Sequence, residues 1–145
     1  MKEIRLHGRG GQGVVAGSEI LADAAIREGK YAQSFPYFSA ERRGAPLMAF
    51  TRIDGKPIRL RCQIYEPDYV IVLDSRVFQF QYVASGLKNE GAIIINTPLT
   101  PDEVKDKKLV MKGKIYTIDA TPISFKVFGR AILNTVVLGA VSYTH

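Results

Sequence analysis

The chain has 145 residues, 46% apolar and 23% charged, which is the composition of one globular domain with room for one sizeable core. Its single cysteine, Cys62, excludes an internal disulfide framework and any iron–sulfur cluster or structural zinc site built by this chain alone, and a reducing cytoplasm is the expected location. A net charge of +6 suits an acidic partner or ligand, but the aromatics do not interleave with the basic residues, so nucleic acid is not expected; nor is a membrane, because the longest apolar stretch, 131–141, holds Asn134 and is too short to span a bilayer.

A first strand is predicted over 3–7, with Ile4 and Leu6 on one face. A helix follows over 12–28, its apolar stripe read as Ala16, Ile20, Leu21 and Ala24 and its end set by Gly29. A short strand at 31–35 leads into a loop punctuated by Pro36 and Gly44. Residues 45–53 alternate as a strand, Asp54-Gly55 is a hairpin turn signal, and 58–62 is expected to return beside it, with Ile58, Leu60 and Cys62 on one face and Arg59 and Arg61 on the other. The nearly continuous apolar runs at 69–73 and 92–95 suit parallel strands covered on both sides. Between them, Asp74-Ser75 caps a helix over 76–87. A short helical turn over 101–108, a strand at 115–118, a helix with Thr121 as N-cap and Pro122 as its first residue, a break at Gly129 and a final helix to 141 complete the chain. The alternation predicts a three-layer, Rossmann-like α/β domain over 1–145, with a mixed, mostly parallel sheet and an antiparallel hairpin insert.

The densest chemistry is the segment Gly8-Arg9-Gly10-Gly11-Gln12-Gly13, four glycines in six positions between a strand and a helix. Glycines let the backbone bend and admit another molecule closely, and a helix N-terminus behind them offers free N–H groups to an anion. Gly8, Gly10 and Gly13 satisfy G-x-G-x-x-G, which read alone suggests a dinucleotide site. The fingerprint also needs an acidic residue at the end of the next strand, and 31–35 has none. A free-standing NAD(P)-binding oxidoreductase therefore stays as an alternative, as does a domain in which the glycines only allow close helix packing and whose role is assembly. Arg42 and Arg43, beside Glu41, form a second candidate: one arginine able to fork onto a phosphate while the other pairs with Glu41, or both in intersubunit ion pairs. His7 reads as a structural hydrogen-bonder, Cys62 as a strand residue, and Asp74 as a cap. Tyr37 and Phe38 are apolar residues in a loop, a hint of burial against another chain.

Taken together, Gly8 to Gly13, Gln33-Ser34-Phe35-Pro36, and Glu41-Arg42-Arg43-Gly44-Ala45-Pro46 resemble the gamma subunit of 2-oxoacid:ferredoxin oxidoreductases, of the pyruvate and 2-oxoisovalerate branch. Ile58-Arg59-Leu60-Arg61, Tyr65 to Val70 and Asn134 to Ala140 extend the resemblance over nearly the whole chain. The resemblance implies a complex that decarboxylates a 2-oxoacid on thiamine diphosphate with magnesium. Electrons would pass through iron–sulfur clusters to ferredoxin, and the acyl group to coenzyme A. It implies alpha, beta and delta subunits that carry those cofactors, and a gamma chain that holds none alone, is not itself catalytic, and helps accommodate coenzyme A. The residues then expected at the coenzyme are Gly8, Arg9, Gly10, Gly11, Gln12, Gly13, Arg42 and Arg43. Family members continue past the Leu-Gly-Ala segment into further helix, so a shortened C-terminal end is expected here.

Overall fold

A computed structural model describes residues 1–37, 46–80 and 82–143, with side chains through Val141. Six strands form one sheet: β1 (Lys2–Arg9), β2 (Tyr31–Tyr37), β3 (Pro46–Asp54), β4 (Tyr69–Val72), β5 (Ala92–Asn96) and β6 (Lys114–Ile118). Their order is β2-β3-β1-β4-β5-β6. β1, β4, β5 and β6 run parallel, and β3 lies antiparallel between β1 and β2. Four α-helices accompany them: α1 (Val14–Arg27), α2 (Pro101–Asp106), α3 (Ala120–Phe128) and α4 (Leu133–Tyr143); a 3-10 turn spans Ser75–Gln79.

The apolar runs of β4 and β5 divide their side chains by strand period between two cores. Ile71, Leu73 and Ile94 join Leu6, Ala49, Val14 of α1 and Val137 of α4 on one face of the sheet. Val70, Val72, Ile93 and Ile95 join Val77, Leu87 and Val104 of α2 on the other. The expected three-layer mixed sheet is therefore the observed one.

The hairpin insert is present but made of different strands. β3 pairs with β2 and not with 58–62, which forms no strand. The reason is that both edges of β3 are already taken, one by β1 and one by β2, so no ladder remains for a returning strand. The helix expected over 76–87 shortens to the 3-10 turn followed by tight turns, although Asp74 caps it as read: its side chain accepts from the Arg76 backbone N–H at 2.9 Å. The buried stripe of α1 is rotated from the expected one. Val14, Gly17, Ser18, Ala22 and Ala25 face the sheet, whereas Ala16, Ile20 and Ala24 face outward. The sheet admits small residues there: a side-chain carbon placed on Gly17 would lie 3.4 Å from Leu6, so only a narrow face of the helix comes this close. Ser18 satisfies its buried hydroxyl on Val15 O and against the Ser34 hydroxyl, at 2.8 Å each. α3 starts two residues earlier than expected, with Asp119 and not Thr121 at its N-cap, and Gly129 ends it in a left-handed conformation as anticipated.

Candidate functional site

The segment 8–13 leaves the carboxyl end of β1 and turns into α1. Its glycines do separate jobs. A β-carbon on Gly8 would come within 2.6 Å of Val14 Cγ2, and one on Gly13 within 2.6 Å of Asn134 Nδ2, so these two let α1 seat against the sheet and α4. Gly13 is the N-cap of α1, at φ +75°, and supplies no capping side chain. Gly11, at φ +89°, has nothing within 4 Å of its would-be side chain. Gly10 and Gly11 are exposed, Gly8 is buried, and Arg9, Gln12 and Gly13 are half-buried. Close helix packing thus explains Gly8 and Gly13, and leaves Gly10 and Gly11 as bare main chain facing outward.

Gln12 fixes the shape of this bend. Its Oε1 accepts from the Arg9 backbone N–H at 2.7 Å, its own backbone N–H reaches Arg9 O at 3.1 Å, and its Nε2 donates to Asp74 Oδ2 at 2.6 Å. Asp74 sits at the end of β4, only 7% exposed. Arg76 donates to it through Nε (3.0 and 3.1 Å) and Nη2 (2.7 Å). Burial alone would raise the Asp74 carboxyl; the side-chain and backbone hydrogen bonds from Arg76 and the Gln12 amide outweigh it and bring the pKa down to about 2. A fixed carboxylate therefore links the glycine bend to the 3-10 turn. Asn96, at the end of β5, joins the next two elements: Nδ2 donates to Leu73 O at 3.0 Å and Oδ1 accepts from the Ala120 N–H at 2.9 Å.

These groups border a crevice of about 280 Å³ outside the carboxyl ends of the parallel strands, lined by Gln12, Asp74, Arg76, Thr97, Asp119 and Leu133 among others. Open α/β sheets bind ligands at this edge. Sequence reading found Gly8 to Gly13, took Asp74 only as a cap, and missed Arg76, Thr97 and Asp119. The available signal was position: each follows the end of a predicted parallel strand within a few residues. Arg42 and Arg43 lie outside the described residues, as do Glu41 and Phe38. Tyr37 ends β2.

The dinucleotide alternative loses its geometry here. In that fingerprint the acidic residue comes from a parallel strand beside β1. On that flank of β1 stands β3, antiparallel, and β2 is displaced to the sheet edge.

Three buried polar residues serve the fold. His7, 2% exposed, accepts from Arg5 Nε on its Nε2 at 3.0 Å. Burial first, and the Arg5 charge second, lower its pKa to about 3, so it is a neutral imidazole, as the structural reading had it. Arg5 also donates to Val83 O (2.8 Å) and Ser85 O (2.6 Å), holding the segment after the 3-10 turn against the sheet. Arg52, fully buried, pairs with Glu3 at 2.9 Å and donates through Nη2 to Cys62 Sγ at 3.7 Å. Cys62 is exposed and lies in an irregular segment, not in a strand; Arg59 and Arg61 are exposed beside it.

No group of three or more histidine, cysteine or acidic side chains gathers at metal-binding distance among the described residues. No single helix there is long and apolar enough to cross a membrane; α3 and α4 meet at a bend of 116°.

The family model for pyruvate ferredoxin/flavodoxin oxidoreductase matches residues 3–145. The pyruvate/ketoisovalerate oxidoreductases common subunit gamma of Thermococcus kodakarensis is 54% identical over 142 residues, covering 98% of this chain and 77% of that protein. The crystal structure of pyruvate oxidoreductase subunit PORC from Thermotoga maritima superposes with a TM-score of 0.84 at 40% identity, over 97% of this chain and 74% of that one. A 2-oxoglutarate:ferredoxin oxidoreductase from Magnetococcus marinus, solved with 2-oxoglutarate, coenzyme A and succinyl-CoA bound, matches at TM-score 0.74 and 25% identity, over 97% of this chain and 24% of that one. With a six-stranded mixed sheet, the glycine bend at its carboxyl edge and a match along nearly its whole length, the chain belongs to the pyruvate ferredoxin/flavodoxin oxidoreductase family.

Proposed function

We propose that this chain is the gamma subunit of a heteromeric 2-oxoacid:ferredoxin oxidoreductase of the pyruvate type, and that residues 1–145 belong to its gamma domain. The observation that carries the assignment is the 54% identity, over 98% of the chain, to a gamma subunit shared by pyruvate and ketoisovalerate oxidoreductases. The alpha, beta and delta subunits supply the thiamine diphosphate, magnesium and iron–sulfur clusters. With one cysteine, and no gathered set of acidic or histidine ligands among the described residues, this chain's donors do not fit a cluster or a diphosphate-bound metal. No decarboxylation or electron-transfer step is assigned to its residues.

Its contribution is to binding and assembly. Gly10 and Gly11 offer main-chain N–H groups at the sheet's carboxyl edge, beside the start of α1, which suits a phosphate-bearing ligand. Coenzyme A bound to the Magnetococcus marinus relative is such a ligand. Gly8, Arg9, Gln12 and Gly13 form the bend that presents them, and Arg42 and Arg43 are the further anion-binding residues proposed from the sequence. A tagged chain expressed with its neighbouring reading frames should co-purify with thiamine- and cluster-bearing chains and give coenzyme A-dependent reduction of ferredoxin; isolation free of such chains from native extract refutes the assignment. Within the active complex, alanine at both Arg42 and Arg43 raises the KM for coenzyme A. A changed yield of complex with an unchanged KM would confine the pair to assembly.

A further inference from the structure

A second cavity lies at the amino ends of β1 and β4, on the opposite edge of the sheet from the glycine bend. It has a volume of about 310 Å³ and is lined by Lys2, Ile4, Glu28, Lys30, Ile53 and Tyr69. Strand register builds its floor. Lys2 stands opposite Ile53 and Ile4 opposite Tyr69, and residues two apart on β1 share a face. That face is the one α1 packs on, but the helix ends at Arg27, and Ile53 and Tyr69 are left only partly buried. The end of α1 is closed on itself: the Gly29 N–H reaches Ile26 O at 2.9 Å and the Lys30 N–H reaches Ala25 O at 3.0 Å, so these carbonyls are already satisfied.

The charges around the mouth leave one cation over. Glu28 is matched by Lys30 at 2.7 Å, and Asp54, next to Ile53, by the Met1 ammonium at 3.5 Å. Lys2 pairs with no carboxylate among the described residues, and its ammonium stands 5.7 Å from the centroid of the Tyr69 ring. Ile4, Ile53 and the Tyr69 ring make the walls apolar, which disfavours a bare inorganic anion. The Lys2 ammonium favours a negative group over a neutral one. At about 30 Å³ for each water-sized group, the cavity holds about ten of them. We infer that it binds a small monocarboxylate with an aryl or branched alkyl body, about ten non-hydrogen atoms in all. The body lies against Ile4, Ile53 and Tyr69, and the carboxylate sits on the Lys2 ammonium. This site is independent of the coenzyme A reading and does not rest on it.

The test uses the assembled complex and compares phenylacetate, which has this size and no 2-oxo group, with its neutral amide, phenylacetamide. A ligand-observed NMR titration should give a Kd for phenylacetate of about 1 mM or below, unmoved by saturating coenzyme A or pyruvate. With Lys2→Gln, a change at an exposed position, Kd for phenylacetate rises about tenfold, the loss of one charge-assisted contact. Kd for the amide stays within about twofold. Absence of saturable binding, an equal rise for acid and amide, or displacement by coenzyme A or pyruvate overturns the site. Ile53→Phe takes up cavity volume and should weaken acid and amide together. It decides the matter should Lys2→Gln fail to assemble, and unchanged binding of both compounds to it overturns the proposal.

Discussion

His7 shows how a single buried side chain sets the acid limit of this fold. Its pKa falls to about 3 because a charged imidazole would lie buried beside the Arg5 guanidinium. An unfolded chain binds a proton at this position near pH 6.5, and the folded chain does not until about pH 3. Stability is therefore intact above 6.5 and falls with pH between 6.5 and about 3, by about 1.4 kcal/mol per pH unit at full effect. Asp74 adds to this only at lower pH, since its depressed pKa stabilises the folded state above 3.8 and loses that contribution as pH falls toward about 2. Urea midpoints measured from pH 7 to pH 4 should follow the histidine slope, and His7→Gln should flatten it. A wild-type midpoint unchanged down to pH 4 would contradict the burial of a neutral imidazole. The sequence shows a histidine two residues after an arginine on one face of a strand; it does not show how deeply that face is buried, which is the first cause of the neutral imidazole.

At the scale of elements, the junction of β1 and α1 separates conformational from steric demand. Gly13→Ala meets both: a left-handed φ of +75° and a contact of 2.6 Å with Asn134 Nδ2. Gly11→Ala meets the first alone, because at φ +89° nothing stands within 4 Å. The expected cost is about 1 kcal/mol for Gly11→Ala and about 2–4 kcal/mol for Gly13→Ala, read by chemical unfolding. Equal losses would mean that α4 does not press on the bend. The glycine spacing was legible from the sequence because it is local. Which glycines pack and which stay bare was not, since Asn134 lies 121 residues from Gly13 by their numbers. The same limit explains the wrong partner for β3. Asp54-Gly55 signals a turn, but the edge that a returning strand would need is filled by β2. The rotated face of α1 has a comparable origin: Ile20 looks like core by periodicity, yet the sheet selects small residues, and Ile20 remains 48% exposed.

For the whole molecule, sheet order predicts a gradient of protection. β4 and β5 are interior strands with cores on both faces, and β1, also interior, has an apolar core on one face and the buried Arg5 and His7 on the other, whereas β2 and β6 stand at the edges. Native-state hydrogen exchange should find the slowest amides in β1, β4 and β5, opening with the global unfolding free energy, and faster exchange in β6. Faster exchange in β1 than in β6 would overturn the strand order. The α/β alternation made the layers readable from sequence, because buried parallel strands have a distinctive apolar run. The crevice was less readable, since it is assembled from the ends of β1, β4, β5 and β6 and no single segment carries it.

β1, an interior strand of the sheet, is also the earliest of its six strands in chain order. Lys2 to Arg9 wait for Pro46 to Asp54 on one side and for Tyr69 to Val72 on the other. Its ladders therefore close only over long loops, and the ribosome must release about half the chain before both flanks are present. Until then Ile4 and Leu6 are an uncovered apolar ribbon on the nascent polypeptide. During synthesis, this amino-terminal ribbon is where a holding chaperone would bind the chain and where misassembly would begin.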